Sequence, residues 1–172
     1  MLKVSLCLCR RWIPVLGGFF LLATGAGAPA VAGEGKAAAF FGMRLVNTTL
    51  AETTEAERAR LQAIADRLVE GLEANGYSFV DTSAVQDRAK LYDNLSHCNG
   101  CDSSFAAELG ADLAVSGEVQ KTSNLILHIN VYMREAGTGR LVNGGSVDIR
   151  SNTDESWMRG MNYILKNRIL RE

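Results

Sequence analysis

Three stretches in the second half of the chain alternate between apolar and polar residues, and they constrain the fold more than any other feature. They cover residues 111–120, 125–134 and 140–150, and only a few residues separate them. A period of two is typical of a strand with one buried face, because successive side chains point to opposite sides of a sheet. The second connection contains Gly137-Thr138-Gly139, which favours a hairpin turn. We therefore predict an antiparallel meander of three strands.

The first half of the chain predicts a strand followed by an amphipathic helix. Residues 36–46 are compatible with a first strand. Thr54-x-x-Glu57 is a capping box and marks a helix start, because its hydroxyl and carboxylate satisfy backbone N–H groups that lack a partner within the helix. Asn75-Gly76 marks the helix end, since glycine tolerates a left-handed conformation. The apolar stripe of this helix consists of Leu61, Ile64, Ala65, Leu68 and Leu72.

The remaining segments complete the order of elements. We expect a short strand at 77–80, a helix at 83–95, and a short helix at 102–109. The last helix is predicted to start near Asn152, which forms an Asx version of the capping box with Glu155. Its core-facing side consists of Trp157, Met161, Ile164 and Leu165. The order β-α-β-α-α-β-β-β-α predicts a single α/β (α+β) domain, with a mixed β-sheet of about five strands and helices mainly on one face.

The two faces of the predicted sheet differ in polarity. The apolar face is expected to lie under the helices and consists of Leu113, Val115, Val119, Leu125, Leu127, Ile129, Val131, Met133, Val147 and Ile149. The polar face consists of Ser116, Glu118, Gln120, His128, Asn130, Tyr132, Ser146, Asp148 and Arg150. A half-solvated antiparallel sheet has this pattern by default, so a plain solvated face is favoured. The alternative is an interaction face formed by the polar residues other than the two serines.

The N-terminal segment is typical of a cleavable secretory signal peptide. Three basic residues precede an apolar run at 15–28, and the small residues up to Ala32 fit the rule for signal peptidase. An uncleaved anchor is the alternative, but a spanning helix needs about 20 apolar residues and this run is shorter. We expect cleavage after Ala32, which yields a signal peptide at 1–32 and one periplasmic or secreted domain at 33–172.

Cleavage would change the charge of the protein. Residues 1–32 contain three basic residues and no acidic one, so a net charge of −1 becomes −4. This balance argues against nucleic acid as a partner, because no basic excess is present to neutralise phosphates. No stable membrane anchor would be left, and we expect unknown envelope proteins as partners. The sequence does not predict the oligomeric state.

Cys98-x-x-Cys101 is the most reactive motif of the predicted domain. A structural disulfide is favoured, because the expected compartment is oxidising. Redox exchange is the second interpretation, since a helix N-terminus lowers the pKa of a thiol, although thioredoxin-type enzymes also use a cis-proline and residues 33–172 contain no proline. Metal binding is the third interpretation. Its weak ligand candidates are His97, Cys98, Cys101 and His128, and no cofactor is expected.

No other motif indicates catalysis. Residues 33–172 contain no Gly-rich phosphate loop, nucleophile elbow or HExxH motif. Ser96-His97 lacks an orienting partner in the sequence and is not interpreted as a dyad. The polar junction at 148–157 is interpreted as helix capping plus an ion pair, either Asp148–Arg150 or Glu155–Arg159, in preference to an anion site. No catalytic residue is assigned.

Several motifs resemble those of known bacterial families. Residues 105–117, which include Leu109-Gly-Ala-Asp112, resemble part of the TolB amino-terminal domain, as does the turn at Thr138-Gly139. This resemblance implies a similar fold. The chain also resembles an uncharacterised family of secreted proteins classed as a domain of unknown function, which brings no activity with it. The residues that carry this second resemblance are Cys98-Asn-Gly-Cys101, 109–112, 119–121, 123–127, 148–150, 152–157 and Arg159-Gly160.

The sequence as a whole favours a secreted or periplasmic, non-enzymatic protein. We expect a binding or accessory module of an envelope complex. The alternative is a thiol-redox or metal-handling protein that uses Cys98 and Cys101. The two hypotheses differ in the expected state of the cysteines, which is a stable disulfide in the first and a reactive or metal-bound pair in the second.

Overall fold

The computed structural model describes residues 35–171, and the predicted signal peptide at 1–32 lies outside them. The described residues form one five-stranded sheet and four α-helices. The strands are β1 (Ala37–Asn47), β2 (Ser78–Phe79), β3 (Leu113–Lys121), β4 (Ile126–Glu135) and β5 (Leu141–Arg150). The helices are α1 (Glu55–Glu73), α2 (Ser83–Ala89), α3 (Cys101–Glu108) and α4 (Asp154–Ile164), with a 3-10 turn at Leu95–His97 and a π-helical turn at Leu165–Ile169.

The strand order across the sheet is β2-β1-β3-β4-β5. β1 pairs in parallel with both β2 and β3, whereas β3, β4 and β5 pair antiparallel. Parallel neighbours need crossover connections, and the helical segments between β1 and β3 provide them. The predicted meander and the mixed sheet of an α+β domain are thus confirmed.

The two faces of the sheet are covered differently. α1 and α4 pack on one face, which we call the helix face, and the side chains of Leu68, Trp157 and Met161 are completely buried there. The opposite side is the second face, where α3 covers part of the sheet. This smaller contact is made by small side chains, namely Ala39, Ala106, Ala111 and Ala114. Within residues 35–171, no helix is both long and apolar enough to cross a membrane.

Three local predictions differ from the structure. The helix expected at 83–95 ends at Ala89. The last helix is capped by Thr153 instead of Asn152, and the Thr153 hydroxyl accepts a hydrogen bond from the backbone N–H of Ser156 at 3.3 Å. Leu125, which the alternating pattern places in the core, is 71% exposed, because it lies in the turn before β4. Each error lies at an end of an element, where the apolar pattern carries the least information.

A buried ion pair joins α1 to the end of β3. Lys121 Nζ lies 2.6 Å from Glu57 Oε1, and Asn152 Nδ2 donates to the same oxygen at 2.6 Å. The indole N–H of Trp157 donates to Asn152 Oδ1 at 2.9 Å. Burial acts to raise the pKa of Glu57, but the hydrogen bonds from Lys121, from the Thr54 backbone and from Asn152 lower it to about 2. This network therefore ties the starts of α1 and α4 to the sheet.

Candidate functional site

Glu118 lies on β3 at the centre of the second face. Asn130 lies opposite it on β4, and Tyr132 and Gln120 are its neighbours on the same face. The sequence favoured a solvated face, and this expectation is wrong for Glu118, which is 1% exposed. The reason is that residues 94–97 lie over the carboxylate and bind it.

Five side chains form hydrogen bonds with the carboxylate, and together with Glu118 we call them the Glu118 cluster. Asn94 Nδ2 donates to Oε2 at 2.7 Å. The other four surround Oε1, at 2.7 Å for Gln120 Nε2, 3.1 Å for His97 Nε2, 3.2 Å for Tyr132 OH and 3.4 Å for Asn130 Nδ2. Hydrogen bonds to an ionised group are stronger than those between neutral groups, so these donors compensate for burial of the charge.

The Glu118 cluster holds a stable anion. Burial acts to raise the pKa of Glu118, but the hydrogen bonds from Asn94, His97 and Gln120 outweigh it, and the pKa lies below its ordinary value. Burial together with the adjacent Glu118 charge raises the pKa of Tyr132 to about 12. At neutral pH the cluster therefore contains a carboxylate and a neutral phenol. Neither group titrates near neutrality, as a general acid or base would.

A second buried carboxylate, Asp102, lies beside the cluster in the first turn of α3. Arg134 Nη1 donates to Asp102 Oδ2 at 3.2 Å, and Arg134 Nη2 donates to the carbonyl oxygen of Ser96 at 3.1 Å. The guanidinium also lies 5.0 Å from the ring centroid of Tyr132, within the range of a cation–π contact. Arg134 thus fastens α3 and the preceding segment to β4.

Cys98 and Cys101 form a disulfide, with Cα atoms 5.6 Å apart. The two residues between them, Asn99 and Gly100, have φ angles of 57° and 99°, and the second of these values favours glycine. We call residues 94–101 the Cys loop. The disulfide closes the end of this loop, and the beginning of the loop binds Glu118. The bond therefore restricts the conformation of the loop, and the contacts with Glu118 hold its beginning over the second face.

The other predicted face residues lie beyond the cluster. His128 Nδ1 is 2.5 Å from Asp148 Oδ1, so Asp148 pairs with His128 instead of Arg150. Arg150 is exposed at the end of β5. The other predicted ion pair is confirmed, since Arg159 Nη1 lies 3.1 Å from Glu155 Oε1.

The weak metal candidates do not converge in the structure. Among residues 35–171, no group of three or more His, Cys, Asp or Glu side chains is arranged to hold a metal ion. His97 and His128 bind different carboxylates, and the two cysteine sulfurs are joined to each other. The Ser96 hydroxyl lies 3.3 Å from Ser116 Oγ, so it is engaged away from the His97 ring.

No motif in the sequence marks Asn94, Ser96, Asp102 and Arg134 as parts of one site. Asn94 lies in a segment predicted as helix, and Asp102 resembles an ordinary acidic residue of a helix start. Arg134 follows Tyr132 by two residues and therefore shares its face of β4. That spacing is the one signal in the sequence that could have placed it in the site.

Replacing both Cys98 and Cys101 with serine is expected to loosen the Cys loop and leave the domain folded. The closed loop is very short, so the expected loss in the free energy of unfolding is about 1–2 kcal/mol. Hydrogen exchange followed by mass spectrometry should show faster exchange at 94–101 and no change in β4. An equal increase across the sheet would contradict a local role for the disulfide.

Solved structures of several bacterial proteins are similar to this chain. The C-terminal domain of LpoB from Salmonella enterica is 12% identical, and the match covers 69% of this chain and 84% of that one with a TM-score of 0.50. Lipoprotein GNA1162 from Neisseria meningitidis is 14% identical, with coverages of 69% and 83% and a TM-score of 0.47. A PelC dodecamer from Paraburkholderia phytofirmans is 14% identical, with coverages of 77% and 87% and a TM-score of 0.46. The LpoB match shows a shared fold and does not assign a function.

The sequence itself matches one family over nearly all of the described residues. No curated protein matches the chain. The family match spans residues 36–169 and so includes the whole sheet, the Glu118 cluster and the Cys loop. It confirms the uncharacterised family that the motifs near Cys98 indicated. The chain therefore belongs to family DUF3280, which is described as a protein of unknown function (DUF2380).

Proposed function

We propose that this protein is an exported, non-enzymatic binding module of a bacterial envelope complex, and that it contacts its partner through the second face. The Glu118 cluster is the observation that carries the proposal. Its hydrogen bonds order several polar side chains around one buried anion before any partner arrives. A surface that is ordered in advance loses less conformational entropy on binding.

The exposed side chains around Glu118 suit protein recognition. The His97 side chain is 57% exposed, and its ring packs edge-on against the Tyr132 ring with centroids 6.0 Å apart. The polar surface continues onto the edge strand β5, where Asp148 and Arg150 are exposed. Tyrosine and arginine are enriched at the energetic centres of protein interfaces, so this combination supports binding to a protein.

The electrostatics of the site argue against catalysis. Both oxygens of the Glu118 carboxylate are occupied by donors, and its pKa lies below the ordinary value. A general base needs a pKa near the working pH. Asp102 is engaged by Arg134 in the same manner. These carboxylates are better suited to fixing the shape of a surface.

The proposed export is supported by the disulfide and by the N-terminal sequence. Disulfides persist in oxidising compartments such as the periplasm. Mass spectrometry of the periplasmic fraction is expected to detect a chain that begins at Gly33 and carries an intact Cys98–Cys101 bond that resists mild reductant. Recovery of the uncleaved chain from the membrane would contradict export as a cleaved protein. Free thiols with a stoichiometric metal would favour the metal-handling alternative.

Site-specific crosslinking in cells tests the proposed binding face. A photoreactive amino acid at Asp148, which is exposed on the second face, is expected to yield one major crosslinked protein. The matched control carries it at Glu70, which is exposed on α1. The Glu118→Ala change is expected to reduce the Asp148 crosslink several-fold, because the cluster that orders the face is lost. Equal crosslinking from Asp148 and Glu70, or none from Asp148, would overturn the proposal.

A further inference from the structure

β1 extends well beyond β2, the short strand that pairs with its outer edge. Within the described part of the chain, β2 pairs with only Ala37 and Ala38, whereas β1 continues to Asn47. The carbonyl oxygen of Ala38 accepts a hydrogen bond from the backbone N–H of Val80 at 2.9 Å, and the chain then leaves the sheet. Main-chain groups two residues apart in a strand face the same edge. Those of Phe40 therefore point toward the side that β2 no longer occupies.

A cavity of about 470 Å³ lies beside this edge. β1 forms one wall, and α2 together with the segment 90–96 forms the other. Phe41, Val85 and Tyr92 make part of this lining apolar. The rings of Phe41 and Tyr92 each pack against Phe105, with centroids 6.3 and 6.1 Å apart. The packing fixes the apolar lining in place, so the cavity can accept a side chain without collapsing.

The rim of the cavity carries two weakly compensated cations. Arg44 and Lys90 line it, with side chains 49% and 63% exposed. Their acidic neighbours are Asp93 at 3.8 Å and Asp87 at 3.3 Å, and both are almost fully exposed. Ion pairs in such positions contribute about 0–1 kcal/mol. A carboxylate on an arriving segment can therefore take the place of Asp93 at Arg44 at little cost.

We propose that the open edge of β1 binds an extended segment of a partner polypeptide by strand addition, with an apolar side chain in the cavity and an acidic residue at Arg44. Main-chain hydrogen bonds to Phe40 provide affinity. The register shift between Phe40 and Met43 then determines which later groups of β1 face the same edge. Alternate side chains of an added strand point to the same face, so every second one reaches the cavity. Asn94 lines the cavity and also belongs to the Glu118 cluster, so the two sites are neighbours. The contacts proposed for the added strand are made instead by the edge of β1, the apolar lining and Arg44.

Peptide binding measured by fluorescence anisotropy tests strand addition. The probe is a set of fluorescein-labelled hexapeptides in which apolar and polar residues alternate and one polar position is glutamate. Saturable binding by members of the set is expected, and N-methylation at alternate peptide bonds should weaken it at least tenfold. Bound peptide should also slow amide hydrogen exchange at Phe40 to Arg44. Binding that is insensitive to N-methylation, or no binding by any member, would overturn the proposal.

Matched variants locate the site. Ala89→Trp fills the cavity from α2, and Ala84→Trp places the same side chain on an exposed position of that helix outside the cavity. Arg44→Glu reverses the rim charge, and Arg58→Glu makes the same change on exposed α1. The first member of each pair is expected to weaken binding at least fivefold and the second to leave it unchanged. Equal effects within either pair would contradict the assignment, as would a protein dimer formed through β1.

Discussion

Replacing Glu57 with alanine is expected to lower the free energy of unfolding by about 3–5 kcal/mol. The change leaves the Lys121 ammonium group, whose side chain is 4% exposed, without its carboxylate partner. Much of the expected loss is the cost of keeping an unpaired charge out of water. Asn152 also loses an acceptor, and Asn152 is the residue that holds the indole N–H of Trp157. Urea unfolding followed by tryptophan fluorescence measures the effect.

Two further variants separate this explanation from a general sensitivity of α1. Glu55→Ala is the matched control, because Glu55 is exposed and pairs with Arg58 at 3.0 Å. It is expected to cost less than about 0.5 kcal/mol. Replacing both Glu57 and Lys121 with methionine removes both buried charges and should recover most of the stability. A double variant no more stable than Glu57→Ala would contradict the buried-charge explanation.

The same pair predicts a loss of stability in acid. The pKa of Glu57 is about 2 in the folded protein and ordinarily 4.5, so the folded state binds this proton less readily than the unfolded state does. The contribution of Glu57 is therefore complete above pH 4.5 and is lost as the pH falls toward 2. It amounts to about 3 kcal/mol. The free energies of unfolding of the wild type and of Glu57→Gln should converge as the pH falls over this range. Parallel pH profiles of the two free energies would refute the prediction.

Replacing Glu118 with alanine is expected to lower the free energy of unfolding by about 2–4 kcal/mol and to release the Cys loop from the sheet. The change leaves the donors of Asn94, His97 and Tyr132 without their common acceptor. Some of these donors can turn toward water, so we expect a smaller loss than at Glu57. Urea unfolding measures stability, and hydrogen exchange at 94–97 measures release of the loop.

The control for Glu118 keeps the shape of the side chain and removes its charge. Glu118→Gln retains one acceptor oxygen but brings an amide NH₂ group toward existing donors, and we expect about half of the alanine effect. Glu70→Ala, at an exposed position on α1, is expected to have almost no effect. If loop exchange were unchanged in Glu118→Ala, then the carboxylate would not be what holds the Cys loop in place.

Local patterns predicted most of the fold. The capping box at Thr54 and Glu57 forms as expected, with reciprocal hydrogen bonds of 2.8 and 3.2 Å. The three alternating runs form β3, β4 and β5, because side-chain periodicity and turn chemistry act over only a few residues. The helix predicted at 83–95 ends at Ala89 in the structure, because the helical pattern of this segment is weak. Contacts with the sheet determine the conformation of the residues that follow. Fold class and family were both predictable from the sequence.

The sequence by itself determined the strands, the main helices and the proximity of Cys98 to Cys101. Tertiary structure alone decided that Glu118 is buried, since this depends on residues 94–97 folding back over β3. It also decided that the Glu57 of a helix cap pairs with Lys121, which is 64 residues away. Neither contact can be recognised from a periodic pattern or a motif in the sequence, because side chains from distant segments meet only after the sheet has formed and packed.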